Sequence, residues 1–472
     1  MRKKIVLEKV EIQEVAAEGK TLSRVDDRVV FIKGGAPGDI VDVRLTNKRK
    51  SFFEGVISQY HRKSALRVEP FCHHFETCGG CKWQHLPYEE QLAFKQKQVV
   101  DNFERLGKFP IPEVTPILGS DETTFYRNKL EYSFSDSRWL TKEEIASDSV
   151  FERNALGFHI PGRFDKILDI DKCYLQPDPS NPIRNRIREY ALENKLSFYN
   201  LRGNFGLLRN VVIRTASTGQ VMVILQVGED KPDLFMPLLD ILNKEFAITS
   251  LNYVINTKKN DTFSDLEVMH YAGQPFIEEQ MKIPDMAGKL TFRVGPKSFY
   301  QTNSKQAEKL YYQVYQLANI NSAEIVYDLY TGTGTIANYL AARAKLVVGL
   351  EYVPEAIVDA KINSEINEIT NTRFFAGDMK DILTPELIEK NGQPDVIITD
   401  PPRAGMHKDV VEVILGAQPK RIVYVSCNPA TQARDISLLS EAYTVAAYQP
   451  VDMFPHTHHV ENIALLKRKE NA

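Results

Sequence analysis

The chain has 472 residues, 43% of them hydrophobic and 26% charged, with a formal net charge of −3. At about 150 residues per domain, this length implies roughly two to four domains, each able to bury a core. No apolar run approaches the roughly 18 residues of a membrane-spanning helix. The start "MRKKIVLEKVEI" lacks the apolar core and small-residue cleavage site of a secretory signal, so the expectation is a cytoplasmic protein without membrane contact. Five unevenly spaced cysteines favour metal or catalytic chemistry over disulfides.

Residues 1–62 read as short strands separated by turns, with alternation in "KKIVLEKVEIQEV" and a Gly/Pro turn in "GGAPGD". That pattern predicts a small OB-like β-barrel. Residues 1–67 carry 15 Lys and Arg against 9 Asp and Glu, while the remainder is net acidic. A basic module on an acidic body suits contact with phosphates.

Residues 63–290 are expected to form a central α+β domain. It opens with "FCHHFETCGGCKWQH", in which Cys72, Cys78 and Cys81 follow a C-x5-C-x2-C spacing; Cys173, in "DIDKCYLQP", is the fourth candidate ligand. Four thiolates suit zinc or an iron–sulfur cluster. Zinc sites more often use two CxxC pairs, and only one is present, so a [4Fe–4S] cluster is the better match. His73, His74 and His85 read as residues at the surface or in contact with a phosphate-bearing partner, not as ligands. The helical spacing of "PYEEQLAFKQKQVVDNFERLG" predicts a helix near 88–107 that packs on the last domain. "NVVIRTASTGQVMVILQVG" reads as a hairpin and "PDLFMPLLDILNKEF" as a helix.

From residue 291 to 472, strand-like "EIVYDLY", "KLVVGLE", "DVIITD" and "RIVYVSC" alternate with helical stretches, the pattern of a Rossmann-like, doubly wound parallel sheet. The first strand ends near Asp328 and runs through Tyr330 into a turn with Gly332 and Gly334; the second ends in Glu351; Asp378 follows the third. A third glycine at GxGxxG spacing is missing, which argues against a dinucleotide. An acidic second-strand end can accept the ribose hydroxyls, and the combination favours S-adenosylmethionine.

"DVIITDPPRAGM" places Asp400 at the end of the fourth strand. A similar loop with an aromatic after the two prolines serves methylation of exocyclic amino groups; Arg403 stands at that position and argues against that chemistry. The fifth strand ends in Cys427, before a turn and helix in "VSCNPATQARD". Proximity to a helix N-terminus is expected to lower the thiol pKa and favour nucleophilicity. Glu461, in "HHVENIALLKR", faces the same cleft if its strand lies beside the fifth.

"DPPRAG", "IVYVSCNPAT", "DMFPHTHHVE" and "SFYQTN" together resemble the RNA uracil-5-methyltransferase family, closest to the branch acting on 23S ribosomal RNA, which carries a TRAM-type barrel and an iron–sulfur cluster. The resemblance implies that the Cys427 thiolate adds to uracil C6, that C5 takes a methyl group from S-adenosylmethionine, and that Glu461 removes the C5 proton. It further implies donor or target contacts by Gln301, Tyr330, Glu351 and Asp400, with Gly332 and Asp378 as weaker assignments. Phe299 would stack on a target base taken out of its stack. A monomer is expected. Rival readings are a transfer-RNA enzyme of the same family, a non-catalytic RNA-binding protein on the same fold, and a radical S-adenosylmethionine enzyme, whose C-x3-C-x2-C motif is absent.

Overall fold

The computed structural model describes residues 5–147, 149–283 and 288–470. Four sheets are present among them. The first has six strands, in spatial order Val6–Glu11, Ile40–Lys48, Phe52–Arg62, Arg28–Lys33, Lys20–Val25 and Glu14–Val15. Alternation sends Val10, Val30, Ile32, Val41 and Val43 into its small core. Gly55 sits where a Cβ would meet Val43 at 2.4 Å, so the strand crosses there only with glycine.

The second sheet has seven strands: Met269–Gly273, Ser250–Ile255, Val221–Val227, Leu208–Thr215, Lys129–Ser135, Ala155–Ile160 and Arg163–Asp169. One face is covered by the helices Ser180–Glu193 and Pro232–Glu245, whose Ile183, Ile187, Phe235 and Leu239 join Tyr132, Val211 and Val223. The other face sends Val212, Met222 and Ile224 into a core shared with the last domain. The hairpin Ile277–Lys282 with Lys289–Val294 pairs antiparallel and also packs there, through Met281 and Phe292. The boundary expected at residue 290 therefore falls inside a strand: one hairpin arm cannot leave the core its partner occupies.

The last sheet has strands Thr372–Ala376, Leu346–Glu351, Ile325–Leu329, Val396–Thr399, Arg421–Ser426, Glu461–Arg468 and Tyr443–Val451. The first five run parallel. The strand Glu461–Arg468 pairs antiparallel with Arg421–Ser426, matching Ser426 to Asn462. The first five strands read as near-continuous Val, Ile and Leu because both faces are covered by helices. No helix among the described residues is long and apolar enough to cross a membrane.

The helix Tyr88–Asn102 packs on the helix Pro429–Leu439 and on the loop before Glu461. Its Lys95 is fully buried and donates to Asp452 Oδ1 at 2.6 Å and to the Phe454 carbonyl at 3.0 Å. Tyr88 donates to the other Asp452 oxygen at 2.8 Å. Gln91 accepts the His456 amide at 2.9 Å, and the His456 carbonyl accepts the amides of Lys82 and Trp83. His85 is buried, with Nε2 3.0 Å from the Gly35 carbonyl, so it ties the barrel to this segment instead of facing solvent as expected.

Removing one partner of a buried ion pair leaves an uncompensated charge, at a cost of about 3–5 kcal/mol. Lys95→Met is expected to lower stability by about that amount through the abandoned Asp452 carboxylate, read as the urea midpoint; Lys95→Met with Asp452→Asn recovers part of the loss.

Candidate active site

The carboxyl edge of the last sheet gathers the candidate residues. Asp328, Glu351, Asp400 and Cys427 end or follow parallel strands, and Glu461 begins the antiparallel one beside them. This is where open α/β sheets bind ligands.

The turn after Leu329 carries three residues in the left-handed region, Tyr330, Gly332 and Gly334. A Cβ at Gly334 would press on Ala360 at 2.9 Å, so that glycine serves packing. A Cβ at Gly332 would meet nothing within 4 Å, so that glycine borders open space. Glu351 accepts the Gly332 amide at 3.1 Å and the Val353 amide at 3.0 Å, which fixes the turn against the second strand. Asp328 is buried; one oxygen accepts the Thr331 hydroxyl and the other, Oδ1, has no partner. Asp378 caps the helix Met379–Ile382 and is half-exposed at the end of the row.

Three carboxyls here are held far above the usual carboxylate range. Burial pushes Asp328 and Asp400 up to about 7. Burial and then the Asp400 charge push Glu461 up to about 8, against Arg403. Cys427 sits between the strand Arg421–Ser426 and the helix Pro429–Leu439, as the sequence predicts. Its thiol is not acidified. Burial, followed by Glu461 and Asp400, pushes it up to about 11, and this outweighs Arg403, which hydrogen-bonds the sulfur. The expected lowering by the helix N-terminus fails because burial and the charges of Glu461 and Asp400 outweigh it.

Sequence reasoning missed two contributors. Arg403 is the cation that faces both Cys427 and Glu461. Its loop is pinned to the cysteine turn, where its carbonyl accepts Asn428 Nδ2 at 3.1 Å and the Thr431 hydroxyl at 3.2 Å. Tyr311, on the helix Ser304–Ala318, is buried among Asp400, Asp328 and Glu461 and hydrogen-bonds Gln301. Its position on the helix's apolar stripe gave it the look of plain core. Phe299 projects from the adjacent loop and is 68% exposed, unusual for so large an apolar ring.

Cys72, Cys78, Cys81 and Cys173 line one cavity of about 390 Å³ in the central domain. Burial pushes the thiols up, Cys78 to about 11 and Cys81 to about 12. Among the described residues, the group of three metal-ligand side chains whose ligand atoms lie within 4.8 Å of one another is His73, His74 and Asp171, not any three of the cysteines.

The sheet order, the glycine turn and the acidic carboxyl edge define a methyltransferase-like domain. Comparison with known proteins agrees. Residues 268–469 match the tRNA (Uracil-5-)-methyltransferase family and residues 8–57 the TRAM domain. The chain is 57% identical over 458 residues to a Bacteroides thetaiotaomicron protein named an uncharacterized RNA methyltransferase, spanning 96% of this chain and all of that one. A Porphyromonas gingivalis protein of the same name is 53% identical over 97% of this chain and 99% of its own. Among solved structures, the Pyrococcus abyssi tRNA (uracil-54, C5)-methyltransferase in complex with S-adenosyl-L-homocysteine superposes with a TM-score of 0.74 at 30% identity, covering 97% of this chain and 100% of that one. The chain belongs to the RNA uracil-5-methyltransferase family and carries a TRAM domain.

If the two neighbouring carboxylates hold the thiol up, neutralising one lowers it. Alkylation of Cys427 by iodoacetamide, followed by peptide mass mapping, is expected to titrate near about 11 in the unaltered chain and at clearly lower pH in Glu461→Gln.

Proposed function

We propose that this protein transfers a methyl group from S-adenosylmethionine to C5 of a uridine in RNA. The observation that carries the proposal is the carboxyl edge itself: Cys427, Asp400, Glu461 and Asp328 converge with Arg403 as the cation between thiol and base. Arg403 is one cation against four acidic groups, and a ligand with a sulfonium and an ammonium supplies further positive charge. The unpaired Asp328 Oδ1 and the open space at Gly332 fit that ligand.

When bound, S-adenosylmethionine supplies an electrophilic methyl group. In the proposed reaction Glu351 and Asp378 hold its nucleoside end, while Gly332 and the backbone at Tyr330 let it approach the turn. Phe299 stacks on the uracil, and Gln301 and Asp400 orient it. Cys427 gives up its proton to solvent and its sulfur adds to C6, which makes C5 nucleophilic; C5 takes the methyl group and S-adenosylhomocysteine is the leaving group. Once C5 carries the methyl group, Glu461 takes the C5 proton, the sulfur–C6 bond breaks, and 5-methyluridine leaves with a regenerated thiolate. A base held near 8 is matched to a proton transfer at physiological pH. Arg403 favours the charged forms of both Cys427 and Glu461.

In the same proposal Cys72, Cys78, Cys81 and Cys173 hold a [4Fe–4S] cluster. The shared cavity supports a site formed by all four, thiols raised by burial need a cationic centre to ionise, and the presence of only one CxxC pair favours the cluster over zinc. The cluster is assigned no step in methyl transfer; it would join the segment near 72–81 to that near 173.

The target we propose is 23S ribosomal RNA, as the resemblance to that branch implies. Transfer RNA is the second reading, favoured by the Pyrococcus abyssi neighbour, which shares nearly the whole chain and acts on uracil 54 of tRNA. Possession of the barrel therefore does not separate the two targets. Action in the cytoplasm as a monomer completes the proposal.

Mapping 5-methyluridine in ribosomal and transfer RNA from a deletion strain tests the function; one missing ribosomal 5-methyluridine is expected, and a full set in both RNAs would refute it. Cys427→Ala is expected to bind S-adenosylmethionine and transfer no methyl group. Because Glu461 must be ionised to take the proton, turnover is expected to rise with pH through about 8 and to fall away below it, measured as methyl transfer to RNA. Cys78→Ala is expected to lose the brown absorbance and bound iron; retention of both would remove that cysteine from the proposed cluster.

A further inference from the structure

Lys129 and Arg214 are directly paired residues on neighbouring antiparallel strands. Side chains at paired positions share a face, and like charges placed opposite each other are destabilising. Both are removed from solvent: Arg214 is 5% exposed and Lys129 is half-buried. Burial and then Arg214 push the Lys129 ammonium down to about 8, against Glu131, with a smaller push from Arg127. Burial alone pushes the Arg214 guanidinium down to about 10. Among the described residues no carboxylate reaches salt-bridge distance of either group. The nearest acid on that face, Glu131, instead accepts the Asn210 side chain at 2.9 Å. Arg214 Nε and Arg127 Nε are both buried without a hydrogen-bond partner.

Three cations with idle donors face one carboxylate, Glu131, which lines the same cavity and is itself engaged by Asn210, so positive charge is in excess there. Their place in the fold says what balances it. Arg214 Nη2 donates to the Ser298 carbonyl at 2.8 Å, one residue before Phe299. Arg127 Nη2 lies 3.4 Å from the Thr302 hydroxyl, one residue after Gln301. Between them, Asn128 donates to the Gln301 carbonyl at 2.9 Å and its amide to the Thr302 carbonyl at 2.8 Å. The strand start 127–129 thus grips the loop that presents Phe299, and Arg127, Lys129 and Thr302 line the mouth of one cavity.

We propose that Lys129 and Arg214, flanked by Arg127, bind a backbone phosphate of the RNA next to the target nucleotide. This rests on the reading of the protein as an RNA methyltransferase. A phosphate anchored there completes the charge balance of the sheet and fixes the sugar–phosphate chain beside Phe299, so that the base, and not its neighbours, reaches the carboxyl edge. Phosphate contacts of this kind set register without reading sequence. The alternative use of these cations is to offset the negative charge of a thiolate-held cluster in the adjoining half of the cavity. Arg127 and Arg184 already favour the charged form of Cys173.

The test compares the full-length unaltered protein, Lys129→Met and Lys129→Arg, binding a fluorescently labelled uridine-rich single-stranded oligonucleotide over a range of salt. Each phosphate contact on single-stranded nucleic acid contributes about 0.7 to the slope of log K against log salt. Lys129→Met is expected to weaken binding about tenfold at low salt and reduce the slope by about 0.7; Lys129→Arg is expected to restore both. The brown absorbance, iron content and binding of S-adenosylmethionine are expected to stay as in the unaltered chain. An unchanged slope in Lys129→Met overturns the proposal, as does loss of the iron centre with RNA affinity intact, which would assign the cations to the cluster. Failure of the unaltered protein to bind or methylate any RNA would sink the functional reading itself, a different result from an unchanged slope in a protein that binds.

Discussion

Asp328, Asp400, Glu461 and Cys427 are acidic groups packed along one sheet edge, and burial holds each of them toward its neutral form. An edge built this way gives up stability for chemistry, because each ionisation must be supported by a ligand's charge or by Arg403. The same field holds the thiol protonated in the ligand-free protein, and a thiol is a far weaker nucleophile than a thiolate. In the proposed reaction the cationic methyl donor is what activates the nucleophile, so the thiol is engaged only when the donor is in place.

Holding such an edge together requires support from outside the methyltransferase domain. The strand bearing Glu461 is fixed by its pairing with Arg421–Ser426, but the loop before it is fixed by the helix Tyr88–Asn102 through Lys95, Tyr88 and Gln91. That helix follows the cysteine segment directly, and Lys82 and Trp83 bond the same loop. The central sheet reaches the site from the other side, through Arg127, Asn128 and Arg214 on the Phe299 loop. The cysteine segment and the candidate base are thus joined through the loop at His456, whose carbonyl accepts the Lys82 and Trp83 amides.

Much of this was legible in the sequence. Strand periodicity and the Asn-Pro helix start at Asn428 put Cys427 in a strand–turn–helix corner, whereas Glu461 could be placed in the cleft only on condition that its strand lay beside the fifth, which the pairing meets. The glycine turn was readable because few residues tolerate its backbone. What was not legible depends on distances between segments remote in sequence. The thiol pKa was misjudged in direction because the helix N-terminus is local and visible, whereas Asp400 and Glu461 act across strands. Tyr311 carries no motif. His85 looked like a surface residue because its partner, the Gly35 carbonyl, lies 50 residues away. The hairpin around residue 290 was cut in two because neither arm alone announces which core it joins.

The central claim is that Cys427 adds to a pyrimidine C6 in RNA. Incubation of the protein with S-adenosylmethionine and RNA containing 5-fluorouridine, followed by peptide mass mapping, tests it most directly, because fluorine at C5 leaves no proton for Glu461 to remove and traps the bonded state. The account predicts an RNA nucleotide carrying an added methyl group, attached at Cys427. Methyl transfer to unmodified RNA without any adduct from the fluorinated RNA, or an adduct at another residue, would contradict it.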